Sequence, residues 1–130
     1  MSSHNQAIGN TGEQIAQNHL LSLGYTIVDT NTRIGHDEID IIAYDPQDNV
    51  YCFTEVKARS RVGDYEPGLN ITNKKKLNMR RAAQAWSDQQ AKEIGYRLDV
   101  ILIAGELVTD HWIDIGLTEI GPIDTGMETQ

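Results

Sequence analysis

Two short segments of this 130-residue chain carry charged groups inside otherwise apolar runs. In the segment EIDIIAY (38–44), Glu38 and Asp40 precede Ile41, Ile42 and Ala43; in VYCFTEVK (50–57), Glu55 and Lys57 follow Tyr51, Cys52 and Phe53. Both segments read as strands. The intervening DPQDN (45–49) is a rich turn signal, so together they predict an antiparallel hairpin. Side chains on a strand alternate with period two, which puts Glu38 with Asp40 on one face and Glu55 with Lys57 on one face. Pairing would bring Asp40 and Glu55 close across the ladder, although a slip of one residue would send a whole set to the other side.

Two carboxylates a few ångströms apart raise each other's pKa, and a divalent cation removes that penalty. Hard oxygen donors of this kind suit Mg²⁺ or Mn²⁺, which keep waters and accept phosphate oxygens. Such a metal lowers the pKa of a bound water and stabilises charge on a scissile phosphate. Lys57 would orient the attacking water or neutralise the transition state. Asp40, Glu55 and Lys57 are thus the minimal equipment for metal-assisted hydrolysis of a phosphodiester. The plainer alternative is that charges at strand ends mark where a sheet meets water, or protect an edge.

The elements that would position these groups follow from periodicity. Apolar residues Ile15, Ala16, Leu20 and Leu23 recur at helical spacing over 11–23, with Thr11 as N-cap, Gly24 as stop and a loose, polar stretch 1–10 before them. Strands are predicted at 25–30, 38–44 and 50–57, with a turn-prone stretch at 31–37. A loop rich in Gly and Pro follows at 60–70. A helix is predicted over 72–94, with Leu77, Ala82, Ala83 and Trp86 inward and Gly95 ending it. The nearly continuous apolar strand 97–104 reads as central and 111–115 as a short edge strand. The order is helix, three strands, helix, two strands, which predicts an α/β fold: a central mixed five-stranded sheet flanked by helices.

Length and composition fit one domain, 1–130, with its core at about 8–117 and a polar tail at 121–130. No apolar run is long enough to span a bilayer and no secretory leader is visible, so no membrane partner is expected. The single cysteine, Cys52, excludes a disulfide scaffold and a cysteine zinc site, and makes the cytoplasm the expected location. The formal net charge of −8 argues at first against nucleic acid. Yet eight of the eleven cations lie between Lys57 and Arg81 against only Asp64 and Glu66, a local +6 that leaves −14 for the rest. A basic stripe on an acidic body still suits a phosphate backbone, and a solvated helix face is the simpler alternative. The four histidines lack metal-site spacing among themselves: His19 reads as a half-buried packing residue, His111 as a strand start, and His36 lies near the acids without an expected role. Tyr65, in the loop beyond them, is a candidate for stacking on a base.

Several segments match a known family in order and spacing: Gly12-Glu13 with Ala16, Gly24-Tyr25, Asn31 with Arg33, Glu38 through Ala43, Glu55 through Arg59, Gly68, Ile71-Thr72 with Lys75 and Leu77, and Asp99-Val100-Ile101. Over roughly 8–117 the chain resembles the YraN family, uncharacterised protein family 0102. That family is similar to Holliday-junction resolvases and restriction-type nucleases of the PD-(D/E)XK class. The resemblance implies a restriction-endonuclease-like fold and a metal-dependent DNA endonuclease acting on branched or damaged DNA. It implies metal ligands in Asp40, Glu55 and the carbonyl of Val56, a catalytic Lys57, and Glu13 completing the site from the first helix. On helix physics alone, Glu13 is equally an acid favoured by the helix dipole. Arg59, Arg61, Lys75 and Arg80 would then hold a DNA backbone, without base readout and hence structure-selectively or nonspecifically. Many such folds act as homodimers because two strands need two cuts; no sequence feature specifies one here. A catalytically silent nucleic-acid-binding or scaffold module is the alternative. One departure stands out: the family usually has Gly before the Glu-Ile-Asp, and here His36-Asp37 precede Glu38.

Overall fold

The computed structural model describes residues 4–60 and 71–115, with side chains from residue 11 onward. Arg61, Tyr65 and the tail 121–130 lie outside the described residues. The element order is α1 (His4–Ser22), β1 (Thr26–Ile34), β2 (Asp37–Asp45), β3 (Val50–Arg59), α2 (Asn73–Asp88), β4 (Gly95–Ala104) and β5 (Leu107–Trp112). The strands form one sheet in the order β1-β2-β3-β4-β5. β3 and β4 are parallel and every other neighbouring pair is antiparallel. The expected mixed five-stranded α/β sheet is therefore the one observed.

Each face of the sheet carries one helix. On one face Ile42, Phe53, Leu98, Val100 and Leu102 pack with Met79, Ala82 and Ala83 of α2. On the other, Ile41, Ala43, Cys52, Ile101 and Ile103 pack with Ala16 and Leu20 of α1. Phe53, Leu20 and Ile101 are fully buried, each worth about 1.5–3 kcal/mol relative to exposure. β4 is buried from Arg97 to Ala104, as its apolar run predicted. Its parallel pairing with β3 needs a crossover on one face, and α2 is that crossover.

Several boundaries differ from expectation for identifiable reasons. α1 starts at His4, so Thr11 lies inside it rather than capping it; polar residues lower helix propensity without forbidding a helix. Gly24 does end the turn after α1, at φ +92°. β1 runs on through the predicted turn to Ile34, with Asn31 at φ 48°, and the chain reverses at Gly35-His36. α2 is capped by Thr72, whose Oγ1 accepts from Lys75 N at 3.1 Å, and it ends at Asp88 rather than near Ile94. Beyond Trp86 the sequence SDQQAKE offers only Ala91 to bury, so packing stops supporting the helix. Gly95 opens β4 instead of closing α2. β5 lies earlier than predicted because Gly105-Glu106 makes a tight turn straight out of β4, a hairpin signal the periodicity reading passed over. His111 accordingly falls near the end of β5, not its start. Leu23 and Leu77, expected inward, are 51% and 57% exposed. Trp86 packs, partly buried, against the α2-face core beside Phe53 and Tyr51.

Candidate functional site

The β2–β3 ladder runs from Asp45↔Val50 at the turn to Ile41↔Thr54. One step further would set Asp40 opposite Glu55, and there the regular pairing stops. The carboxylate of Asp40 takes over: its Oδ2 accepts the backbone N–H of Val56 at 2.8 Å. Beyond that point the Asp40 side chain, not the backbone ladder, links β2 to β3. The strict alternation expected on β2 also fails here. Ile39 joins the core under α2, whereas Ile41, two residues on, joins the core under α1. Strand pairing enforces the pleat, and beyond Ile41 the β3 side of β2 is no longer paired.

Glu55 and Lys57 alternate with Phe53, so they emerge on the α2 face, while Val56 packs on the α1 side. Lys57 Nζ lies 3.7 Å from Glu55 Oε2, and Lys75 Nζ of α2 lies 3.3 Å from Glu55 Oε1. Lys75, expected to meet phosphate, is thus drawn onto an acid. Asp40 and Glu55 line a polar cleft of about 300 Å³ with Glu38, Lys75, Asn78 and Met79, and His36 stands exposed at its rim. Asp40 is pushed up to about 6, first by burial and next by the Glu55 charge; Glu13 adds to the rise, while the Val56 amide and Lys75 oppose it.

Glu13 reaches this neighbourhood from the other face. Its Oε1 accepts from Asn31 Nδ2 at 3.1 Å. Asn31 holds a left-handed backbone, φ 48°, inside the continuous β1, with the register unchanged on either side of it. Gly12 lets α1 lie close to β3, since a Cβ there would stand 3.3 Å from Ala58 Cβ. Asn31 belongs to the segments that match the family, but its contact with Glu13 joins residues 18 apart and was not readable from spacing.

Among the described residues, no three His, Cys, Asp or Glu side chains are gathered to enclose an ion. The donor set nonetheless fits a hard divalent cation. Asp40 is partly buried beside the Glu55 charge with its pKa raised and, among the described residues, has no ammonium of its own, and Mg²⁺ sites commonly use one or two carboxylates with water and phosphate completing the shell. Such a cation would relieve the repulsion and leave Lys57 beside it.

The remaining predicted contacts are dispersed. Arg59 is half-buried, and its carbonyl accepts from Gly105 N at 2.9 Å, which fixes the end of β3 to the β4–β5 turn. Arg80 is exposed on α2. Asp37, the family departure, is held by Arg81 through a two-pronged pair, Nε to Oδ2 at 3.1 Å and Nη2 to Oδ1 at 2.9 Å. It ties the β1–β2 turn to α2 and lines the same cleft as Asp40 and Glu55.

A second charged cluster, not predicted from the sequence pattern, surrounds Arg97. Arg97, 8% exposed, donates to Asp99, Asp45, Asp48, the Tyr25 hydroxyl and Cys52 Sγ. Asp99 is fully buried and also accepts from Asp114 N at 2.9 Å. Burial pushes Asp99 upward, but His111, Arg97 and the Asp114 amide outweigh it and hold the carboxyl below its ordinary value. His111 Nε2 lies 3.9 Å from Asp99, an electrostatic neighbour rather than a hydrogen bond. Its Nδ1 meets His19 Nε2 at 3.1 Å. Burial, followed by the His111 charge, lowers His19. Burial raises the Cys52 thiol pKa far above its usual value. The signal was present: Arg97 and Asp99 are charges two apart in an otherwise apolar strand, hence on one face.

Residues 12–103 match Uncharacterised protein family UPF0102. A UPF0102 protein of Chlorobaculum tepidum is 39% identical over 99 residues, covering 75% of each chain. One from Cytophaga hutchinsonii is 38% identical over 109 residues, covering 84% of this chain and 95% of that one. One from Geobacter sulfurreducens is 38% identical over 103 residues, covering 78% of this chain and 79% of that one. Among solved structures, a repair endonuclease from Pyrococcus abyssi aligns with 82% of this chain and 41% of its own, at 13% identity and a TM-score of 0.43. No described helix is long and apolar enough to cross a membrane.

Proposed function

The chain belongs to Uncharacterised protein family UPF0102, and with that membership as premise and the geometry of Asp40, Glu55 and Lys57 as support, we propose that it is a divalent-metal-dependent endodeoxyribonuclease. The observation that carries this reading is the break in the hairpin. The ladder ends where Asp40 and Glu55 meet, and Lys57 stands 3.7 Å from Glu55 on the same face. In this proposal Asp40, Glu55 and the Val56 carbonyl hold Mg²⁺ or Mn²⁺, which when bound activates water and neutralises phosphate charge. Lys57 orients the attacking water and screens the phosphorane as charge builds on its oxygens. Glu13, held by Asn31, adds negative charge that helps retain the cation.

Arg59, Arg61, Lys75 and Arg80 would contact the DNA backbone. Such contacts position a duplex without reading bases, so binding would be structure-selective or nonspecific, with branched or damaged DNA as one target class to test. Two incisions would call for a homodimer, tested by sedimentation. The single buried thiol, Cys52, accords with a cytoplasmic setting.

The test is cleavage of branched and linear DNA by pure protein with Mg²⁺ or Mn²⁺. The reading requires metal-dependent nicking that Asp40→Asn and Lys57→Ala both abolish. Nicking that persists in both variants points to a contaminant. Salt-sensitive DNA binding without cleavage points instead to a silent binding module.

A further inference from the structure

We propose that Lys75 is a resident counter-ion of the acidic pair and that the metal must displace it to bind. The inference rests on the metal site proposed above and adds a competitor to it. Lys74, Lys75 and Lys76 are three consecutive lysines opening α2. Of these, Lys75 has its ammonium on Glu55, 3.3 Å from Oε1. The other oxygen of the same carboxylate faces Lys57 at 3.7 Å. Both oxygens of Glu55 are therefore engaged by ammonium groups. The Lys75 charge also reaches Asp40, so one cation serves both acids from within their cleft.

The placement is built rather than casual. Thr72 Oγ1 accepts the backbone N–H of Lys75 and so fixes the first turn of α2. Met79, one turn on and on the same side of α2, is 2% exposed in the core under that helix. The Glu55 side chain is only 12% exposed and that of Lys75 35%, so water screens the pair in part. The Lys75 ammonium, the closer of the two and within the cleft, and a divalent cation cannot share the Glu55 Oε1 without strong mutual repulsion. While metal is scarce, Lys75 compensates the acids and keeps them together; when metal loads, the ammonium leaves Glu55. The cost of that exchange weakens metal binding.

The experiment is a Mn²⁺ titration of the full chain without nucleic acid, at pH 7.5, following free Mn²⁺ by electron paramagnetic resonance. Lys75→Gln should bind Mn²⁺ roughly three- to tenfold more tightly than the unmodified protein. Lys75→Arg, which keeps the charge, should stay within about twofold of it. Lys74→Gln removes the same charge from an exposed neighbour and should also stay within about twofold. Equal or weaker binding by Lys75→Gln overturns the exchange, and so does an equal gain in Lys74→Gln. Asp40→Asn separates the two levels of the argument. If it leaves Mn²⁺ binding intact, the metal site itself is wrong. If it abolishes binding while Lys75→Gln changes nothing, only the counter-ion role falls.

Discussion

The two ends of the β2–β3 hairpin handle buried charge in opposite ways. Near the turn, Asp45 and Asp48 bind Arg97 of β4, which also binds Asp99 further along that strand, level with Thr54; Tyr25, Cys52 and backbone amides complete the set. At the open end, Asp40 confronts Glu55 and Glu13 with one backbone amide and a share of one lysine. Neighbouring groups hold Asp45 and Asp99 below the usual carboxylate range, although burial pushes the other way. Burial and like charge leave Asp40 at about 6. The same residue type in the same sheet is thus a structural anion where Arg97 reaches it and an under-compensated one at Asp40. An under-compensated acid is costly for a fold and useful for holding a cation.

Variants that remove one end at a time should separate these roles, and the largest effect belongs to the open end. Asp40→Asn should lower DNA cleavage by about 10³-fold or more, read by single-turnover nicking, because metal binding supplies several kcal/mol to such a transition state. The next largest belongs to the Arg97 cluster. Arg97→Met leaves Asp99 buried without its main partner and should cost about 3–5 kcal/mol in urea unfolding; a loss below about 1 kcal/mol would mean that the cluster rehydrates.

The third prediction uses the opposite pH signs. The folded pKa of Asp40 is raised, so its favourable contribution is fully present below the unfolded value of 3.8 and is lost as pH rises through about 6. Asp40→Asn should therefore stabilise the metal-free protein by about 1–3 kcal/mol at pH 7.5, with the gain vanishing near pH 3.5. Asp99 is depressed, so its contribution is present above the unfolded value and disappears as pH falls through its folded value. Urea midpoints across pH 3–8 check both signs. For the same reason, Mn²⁺ binding should weaken as pH drops through 6, because Asp40 must give up its proton first. The smallest effect is expected at Arg81. Arg81→Ala removes a surface tether on Asp37 and should leave the thermal midpoint unchanged within error.

Much of the open end was legible in the sequence, because a hairpin and its period-two faces are local properties. Glu55 and Lys57 share a face as their spacing requires, and Asp40 meets β3 as the hairpin requires. The break after Ile41 was not legible, since nothing local says where pairing stops. Lys75 was visible as a cation, but its partner is set by how α2 crosses the sheet. Asn31 reads as a turn residue and is instead a left-handed residue inside β1 that donates to Glu13. Arg97 and Asp99 were readable in principle, yet the apolar run around them drew attention to burial rather than to the charges. The end of α2 and the start of β5 were misplaced because packing, absent from a local pattern, decides where marginal segments stop.

The burial of Cys52 against Arg97 also has a practical consequence. A thiol so reluctant to ionise should ignore maleimides in the native state. A cysteine introduced on an exposed surface would then be the one nucleophile such a reagent finds. Single-site fluorescent or spin labels could report strand separation and helix motion during DNA engagement, with no background position to remove.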